Sequence, residues 1–131
     1  MDRLRAMRIA TWNINSIRAR IDRAVAFLER SNVDVLALQE IKCKPEQFPT
    51  ERLEELGFEV QMVGYDKWNG VALLSRLPLT NVQHSFPGQP AWAGKGIVEA
   101  RAIGATVHPQ DGEPFELWSL YVPNGRELDD A

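Results

Sequence analysis

The sequence predicts an α/β fold of the α+β kind, in which one parallel strand–helix–strand unit is followed by antiparallel strands. Three observations carry this expectation. Residues 7–39 alternate a β-like run, a helical pattern and a second apolar run with short connections between them. From Phe58 onward, five β-like segments are separated by pieces rich in Gly, Pro, Asp and Asn. The chain has 131 residues, 44% hydrophobic and 25% charged, the composition of a single soluble globular domain or part of one.

Taken in order, Met7 to Trp12 reads as the first strand. From Ile17 the apolar residues fall at 17, 21, 24, 25 and 28, one face of a helix, while Arg18, Arg20, Asp22, Arg23, Glu29 and Arg30 fall mostly elsewhere. Asn13, Asn15 and Ser16 stand at the junction, and such residues serve as N-caps by accepting from free N–H groups of the first turn. One cap suffices, so the cluster has residues to spare. Val33 to Gln39, "VDVLALQ", is an apolar run broken only by Asp34, as expected of a strand buried on both faces. Strand, helix and strand so closely connected imply a parallel βαβ unit.

"FPTERLEELGF" predicts a short helix beginning near Thr50, with Leu53 and Leu56 inward and Gly57 as its stop. "FEVQMVG", "GVALLSR", "LTNVQHS", "GIVEARAIGATVH" and "FELWSLYVP" then read as an antiparallel meander. There is no internal repeat and no low-complexity segment.

A formal net charge of −3 and a pI near 5.4 argue against nucleic-acid binding through a uniformly basic surface, but leave room for a local basic groove. Arg18, Arg20, Lys42, Lys44, Lys67, Lys95 and Arg126 lie near the predicted loops, a scatter that an ordinary solvated surface would also give. The single cysteine, Cys43, has no internal disulfide partner, which fits a reducing cytoplasm, and it reads as a bystander thiol. "MDRLRAM" lacks the apolar stretch of a signal peptide, residues 1–6 read as a flexible extension, and no apolar run approaches membrane-spanning length.

Three apolar strands end at a polar group: Asn13 after Trp12, Glu40 after "VLALQ", and Asn124 after "SLYVP". Ligands of open α/β sheets bind beyond the carboxyl ends of strands, so three distant segments would meet at one site; taken singly, Glu40 reads rather as a solvated strand end. One carboxylate among amides and basic groups suits Mg²⁺, which takes one or two carboxylates, keeps several waters and shares its shell with phosphate oxygens. It would polarise a phosphoryl oxygen. Zn²⁺ is poorly served, because His84, His108 and Cys43 lack ligand spacing. Gly-Lys-Ser/Thr phosphate loops, G-x-G-x-x-G and G-x-S-x-G elements are absent, and "WAGKGIV" leads into a strand.

Together "IATWNINSIRAR", "DVLALQEIKC", "GVALLSR" after "KWNG", and "YVPNG" resemble, in order and over nearly the whole chain, the exonuclease III type of apurinic/apyrimidinic endonuclease. That group belongs to the endonuclease/exonuclease/phosphatase superfamily of DNase I-like fold. The resemblance implies a four-layered α/β/β/α sandwich with mixed, largely antiparallel sheets, of which residues 1–131 would be an incomplete, N-terminal half. It implies that Glu40 is the metal-binding glutamate and that Asn15 helps hold the metal, Mg²⁺ or Mn²⁺ in its place. Asn13 matches the asparagine that orients the catalytic aspartate, and Tyr121 and Asn124 match contacts to the scissile phosphate. Arg18, Lys42, Asn69 and Gly70 resemble contacts to the DNA backbone. Ser16 replaces a Gly found in many members, which alters the turn rather than the chemistry.

Relatives carry, further along, a Gly-Asp-x-Asn motif whose aspartate activates water and a Ser-Asp-His motif whose histidine stabilises charge; neither occurs in these 131 residues. General-base and charge-stabilising groups each contribute roughly 10²-fold or more, so little activity is expected of this chain alone. A sheet face left open is expected to invite self-association. The resemblance implies Mg²⁺-dependent hydrolysis of duplex DNA at abasic sites or 3′ ends in base excision repair. A competing reading is a non-catalytic nucleic-acid-binding or partner-binding half-module. A third, an inositol-phosphate or lipid phosphodiesterase, is disfavoured by "WNINSIRAR" with "YVPNG".

Overall fold

The computed structural model describes residues 7–64, 69–85 and 101–122. Strand β1 (Ile9–Asn13) leads into helix α1 (Ile17–Arg30) and strand β2 (Val35–Gln39). A 3₁₀ turn (Pro45–Gln47) and helix α2 (Thr50–Glu54) follow, then β3 (Glu59–Val63), β4 (Val71–Ser75), β5 (Leu79–Gln83), β6 (Ala102–Val107) and β7 (Phe115–Leu120). The expected extension at residues 1–6 lies outside the described residues, as does the beginning of "GIVEARAIGATVH".

The predicted meander divides. β3 and β4 join the βαβ unit in a sheet of order β1-β2-β4-β3, parallel at β1–β2 and antiparallel elsewhere, while β5, β6 and β7 form a second, antiparallel sheet. The switch occurs at Ser75-Arg76-Leu77-Pro78. Ser75 Oγ accepts from the Leu77 amide at 3.0 Å and donates to the Leu77 carbonyl at 2.7 Å, closing a local turn. Pro78 has no N–H to give a ladder, so the chain leaves the first sheet and begins the second.

Side-chain parity sorts the core into two layers. In β2, Leu36 and Leu38 face α1 and α2, where they pack with Ile17, Ala24, Leu28, Leu53 and Phe58. Val35 and Ala37 face the second sheet and pack with Ile103, Ala105 and Val107. β4 repeats the division, with Ala72 and Leu74 outward and Val71 and Leu73 inward. Both strands are buried on both faces, as the unbroken apolar run in β2 foretold. Helices on one face and a second sheet on the other make three layers among the described residues, consistent with the N-terminal portion of the expected sandwich. All three strands of the second sheet contribute to the core that packs on the first sheet's inner face.

Candidate active site

The loops following β1 and β2 and the loop preceding β4 meet at one end of the first sheet. Pairing does not stop with the strands. The Ile14 amide donates to the Gln39 carbonyl at 3.0 Å, Ser16 to Glu40 at 2.8 Å and Ile17 to Ile41 at 3.1 Å. On the other side Ile41 donates to Gly70 at 3.1 Å and Lys42 to Asn69 at 2.9 Å. The three loops are thus stitched side by side beyond the strand ends.

Their backbone is unusual. Of six non-glycine residues with positive φ among those described, Asn15, Ser16, Glu40, Lys42 and Asn69 all belong to these loops. Each such residue costs of order 1–3 kcal/mol outside the Asn-tolerant region, and strain of this kind gathers where side chains must be aimed. Gly70 has φ +93, and a Cβ there would stand 2.5 Å from Ile41 Cγ1, so both conformation and space demand glycine.

The spare residues at the junction now have separate tasks. Ser16 is the N-cap of α1, its side chain accepting from the Ala19 amide at 3.3 Å. Asn15 turns its side chain away from the helix, and its Oδ1 accepts from the Lys42 ammonium. That ammonium lies 3.8 Å from Glu40 Oε1, and the Lys42 and Glu40 side chains are 28% and 22% exposed. Asn15 also receives, on its carbonyl, a hydrogen bond from the Arg20 guanidinium. A carboxylate and an amide oxygen sharing one cation form a donor set that suits a hard divalent ion. Among the described residues no three His, Cys, Asp or Glu side chains gather to form a denser metal site.

Cys43 is fully buried behind this loop. Burial pushes its thiol up to about 11; Arg18 pulls the other way and Glu46 adds to the rise. A buried thiol held protonated in this way is a poor nucleophile.

Asn13 closes β1 opposite Gln39 and is exposed at the same sheet end. Tyr121 follows β7, donates its amide to the Arg101 carbonyl at 2.8 Å and packs against the inter-sheet core. Asn124 lies outside the described residues. The structure therefore brings Asn15, Glu40 and Lys42 into contact and binds Asn69 and Gly70 to the same loop through backbone pairs, while Arg18 stands exposed in the first turn of α1.

Sequence reasoning missed a buried polar link beneath the site. The Gln39 side-chain amide donates to Thr11 Oγ1 at 2.9 Å and to Ser119 Oγ at 3.1 Å, and Ser119 Oγ donates to the Leu38 carbonyl at 2.8 Å. Gln39 and Ser119 are nearly inaccessible, so each needs these partners. Their link pins β7 of the second sheet to β2 of the first, two residues before Tyr121. The signal available was Gln39 itself, a polar residue closing an otherwise apolar buried run.

Residues 10–130 match the Endonuclease/Exonuclease/phosphatase family. An exodeoxyribonuclease III of Haemophilus influenzae is 38% identical over 94 residues, covering 72% of this chain and 35% of the relative. A 3′-5′ exonuclease from Neisseria meningitidis superimposes with a TM-score of 0.70 at 34% identity, over 77% of this chain and 38% of that one. An AP endonuclease from Archaeoglobus fulgidus gives 0.70 at 30% identity, over 78% of this chain and 37% of that one. A Neisseria 3′ phosphatase bound to a product DNA hairpin gives 0.72 at 32% identity, over 85% of this chain and 40% of that one. The chain thus spans little more than a third of the length of the relatives it matches. With a family match over residues 10–130 and these structural neighbours, the chain belongs to the Endonuclease/Exonuclease/phosphatase family, in its DNase I-like, exonuclease III-type group.

Proposed function

We propose that this chain forms part of a Mg²⁺-dependent DNA phosphodiesterase that acts in the cytoplasm on abasic sites or 3′ ends during base excision repair. The observation that carries the proposal is the Glu40–Lys42–Asn15 cluster, a carboxylate and an amide oxygen held on adjoining loops at a sheet end. Names borne by similar proteins, an exodeoxyribonuclease III, an AP endonuclease and a 3′ phosphatase bound to a DNA hairpin, support DNA as the substrate.

Glu40 and Asn15 would hold the ion, Mg²⁺ or Mn²⁺. Bound there, it supplies Lewis-acid polarisation of a phosphoryl oxygen. Arg18 and Lys42 present positive charge to neighbouring phosphates, and the Asn69–Gly70 turn follows the backbone beside them. Tyr121, with Asn124, contacts the scissile phosphate, and Asn13 is the counterpart of the asparagine that orients the catalytic aspartate of relatives. No Gly-Asp-x-Asn or Ser-Asp-His element occurs in the 131 residues, so these groups bind and orient while the proton transfer to a base has no assigned residue. Little activity is accordingly expected of these 131 residues by themselves.

The test pairs binding with cleavage. A fluorescein-labelled duplex with one abasic site is titrated with the purified chain at several salt concentrations, and cleavage with Mg²⁺ is followed beside a Glu40→Ala control. The expected result is salt-dependent binding whose slope falls by about 1 for each phosphate contact removed, in Arg18→Ala and in Lys42→Ala, with little cleavage above control. Absence of binding would overturn DNA as the ligand. Strong cleavage lost in the control would overturn the incomplete-site reading. Leu120 and Val122, 48% and 81% exposed at the end of β7, favour a second reading in which this edge takes a partner chain or a second copy, read by sedimentation against concentration.

A further inference from the structure

We propose that the Lys42 ammonium is a built-in counter-cation of the metal site, holding Glu40 and Asn15 in place when the site carries no divalent ion and yielding that position when one binds. This rests on the reading of Glu40 and Asn15 as metal ligands and adds to it a regulatory residue. The ammonium lies 3.8 Å from Glu40 Oε1 and donates to Asn15 Oδ1, the same two oxygens that would ligate the ion. An ammonium and a divalent ion held against the same two oxygens repel each other, so they compete for the position.

Three features make the placement specific to this lysine. Lys42 has φ 55 and Glu40 φ 54, so the loop is bent twice within three residues, a geometry that chain preference alone does not favour. The Lys42 amide donates to the Asn69 carbonyl at 2.9 Å, which fixes the base of the side chain while its end remains 28% exposed. Position 15 is a neutral amide, so the local charge of Glu40 with Lys42 is zero and the ammonium fully offsets the one carboxylate. The long, flexible stem then lets the displaced ammonium turn outward, toward a phosphate of a bound nucleic acid. Metal and phosphate would therefore bind with positive coupling through one side chain.

The experiment is Mn²⁺ titration of the full 131-residue chain followed by electron paramagnetic resonance of free Mn²⁺, comparing the native chain with Lys42→Met, Glu40→Gln and the double variant. Folding of each is checked by circular dichroism. Lys42→Met is expected to bind Mn²⁺ about fivefold more tightly, the upper range for a partly exposed ion pair. Glu40→Gln is expected to lose binding, and the double variant to resemble Glu40→Gln. Unchanged or weaker binding in Lys42→Met, with loss in Glu40→Gln, would overturn the counter-cation role and leave the metal site standing. Binding unaffected by Glu40→Gln, or absent from every form, would overturn the metal-site reading and the proposal with it.

Discussion

The two ends of the first sheet each place a cation against oxygen atoms, and they use it in opposite ways. At the end where β1 and β2 finish, the Lys42 ammonium faces two side-chain oxygens from loops held at positive φ. At the other end, the Arg76 guanidinium lies 4.4 Å over the Phe58 ring and donates to the backbone carbonyls of Val33, Leu56 and Leu28, at 3.3, 3.4 and 3.4 Å. Those carbonyls close α1 and α2 and precede β2, so Arg76 ties three segments with one planar fork. Lys42 holds groups that another cation can take over. Arg76 holds backbone carbonyls of three separate segments. The difference shows the sheet divided between an end optimised for stability and an end where backbone strain is tolerated to aim side chains.

The largest break in this comparison is expected from Gly70→Ala at the strained end. A methyl there meets Ile41 at 2.5 Å on a backbone at φ +93, and the combined cost is about 3 kcal/mol, read as a lower urea midpoint. Arg76→Met at the other end comes next. Losing three hydrogen bonds and the ring contact is expected to cost about 2 kcal/mol, while Mn²⁺ affinity at the far end stays unchanged. A matching loss of Mn²⁺ affinity in Arg76→Met would show that the ends are not independent. The smallest effect sharpens the comparison from the strained side: Ser16→Gly gives up one cap hydrogen bond but relieves φ 88, and is expected to raise stability by about 0.5 kcal/mol in the same urea titration. A loss of stability there would show that the cap outweighs the strain.

Much of this was legible in the sequence because it is local. The apolar face at 17, 24 and 28 and the unbroken run before Gln39 announce α1 and β2, and with them the position of Glu40 and Asn15 at one sheet end. The partition of the meander was not legible, because "FEVQMVG" and "LTNVQHS" have the same alternation and only the turn at Ser75 and Pro78 sends one strand to each sheet. The Gln39–Ser119 link was hidden for a different reason. Its partners lie 80 residues apart, and nothing in either segment specifies the other. The family resemblance made Lys42 a contact to the DNA backbone; its turn back onto Asn15 depends on a positive φ that residue type alone does not reveal.

The stitching of the loops beyond the strand ends has a consequence for motion. Amides of Ile14, Ser16, Ile17, Ile41 and Lys42 are engaged as donors, so their hydrogen exchange is expected to follow the opening of the sheet rather than the fast opening of ordinary loops. A divalent ion bound at Glu40 and Asn15 as proposed would meet a backbone that needs little reorganisation, so that binding would have to move one lysine side chain instead of ordering three loops.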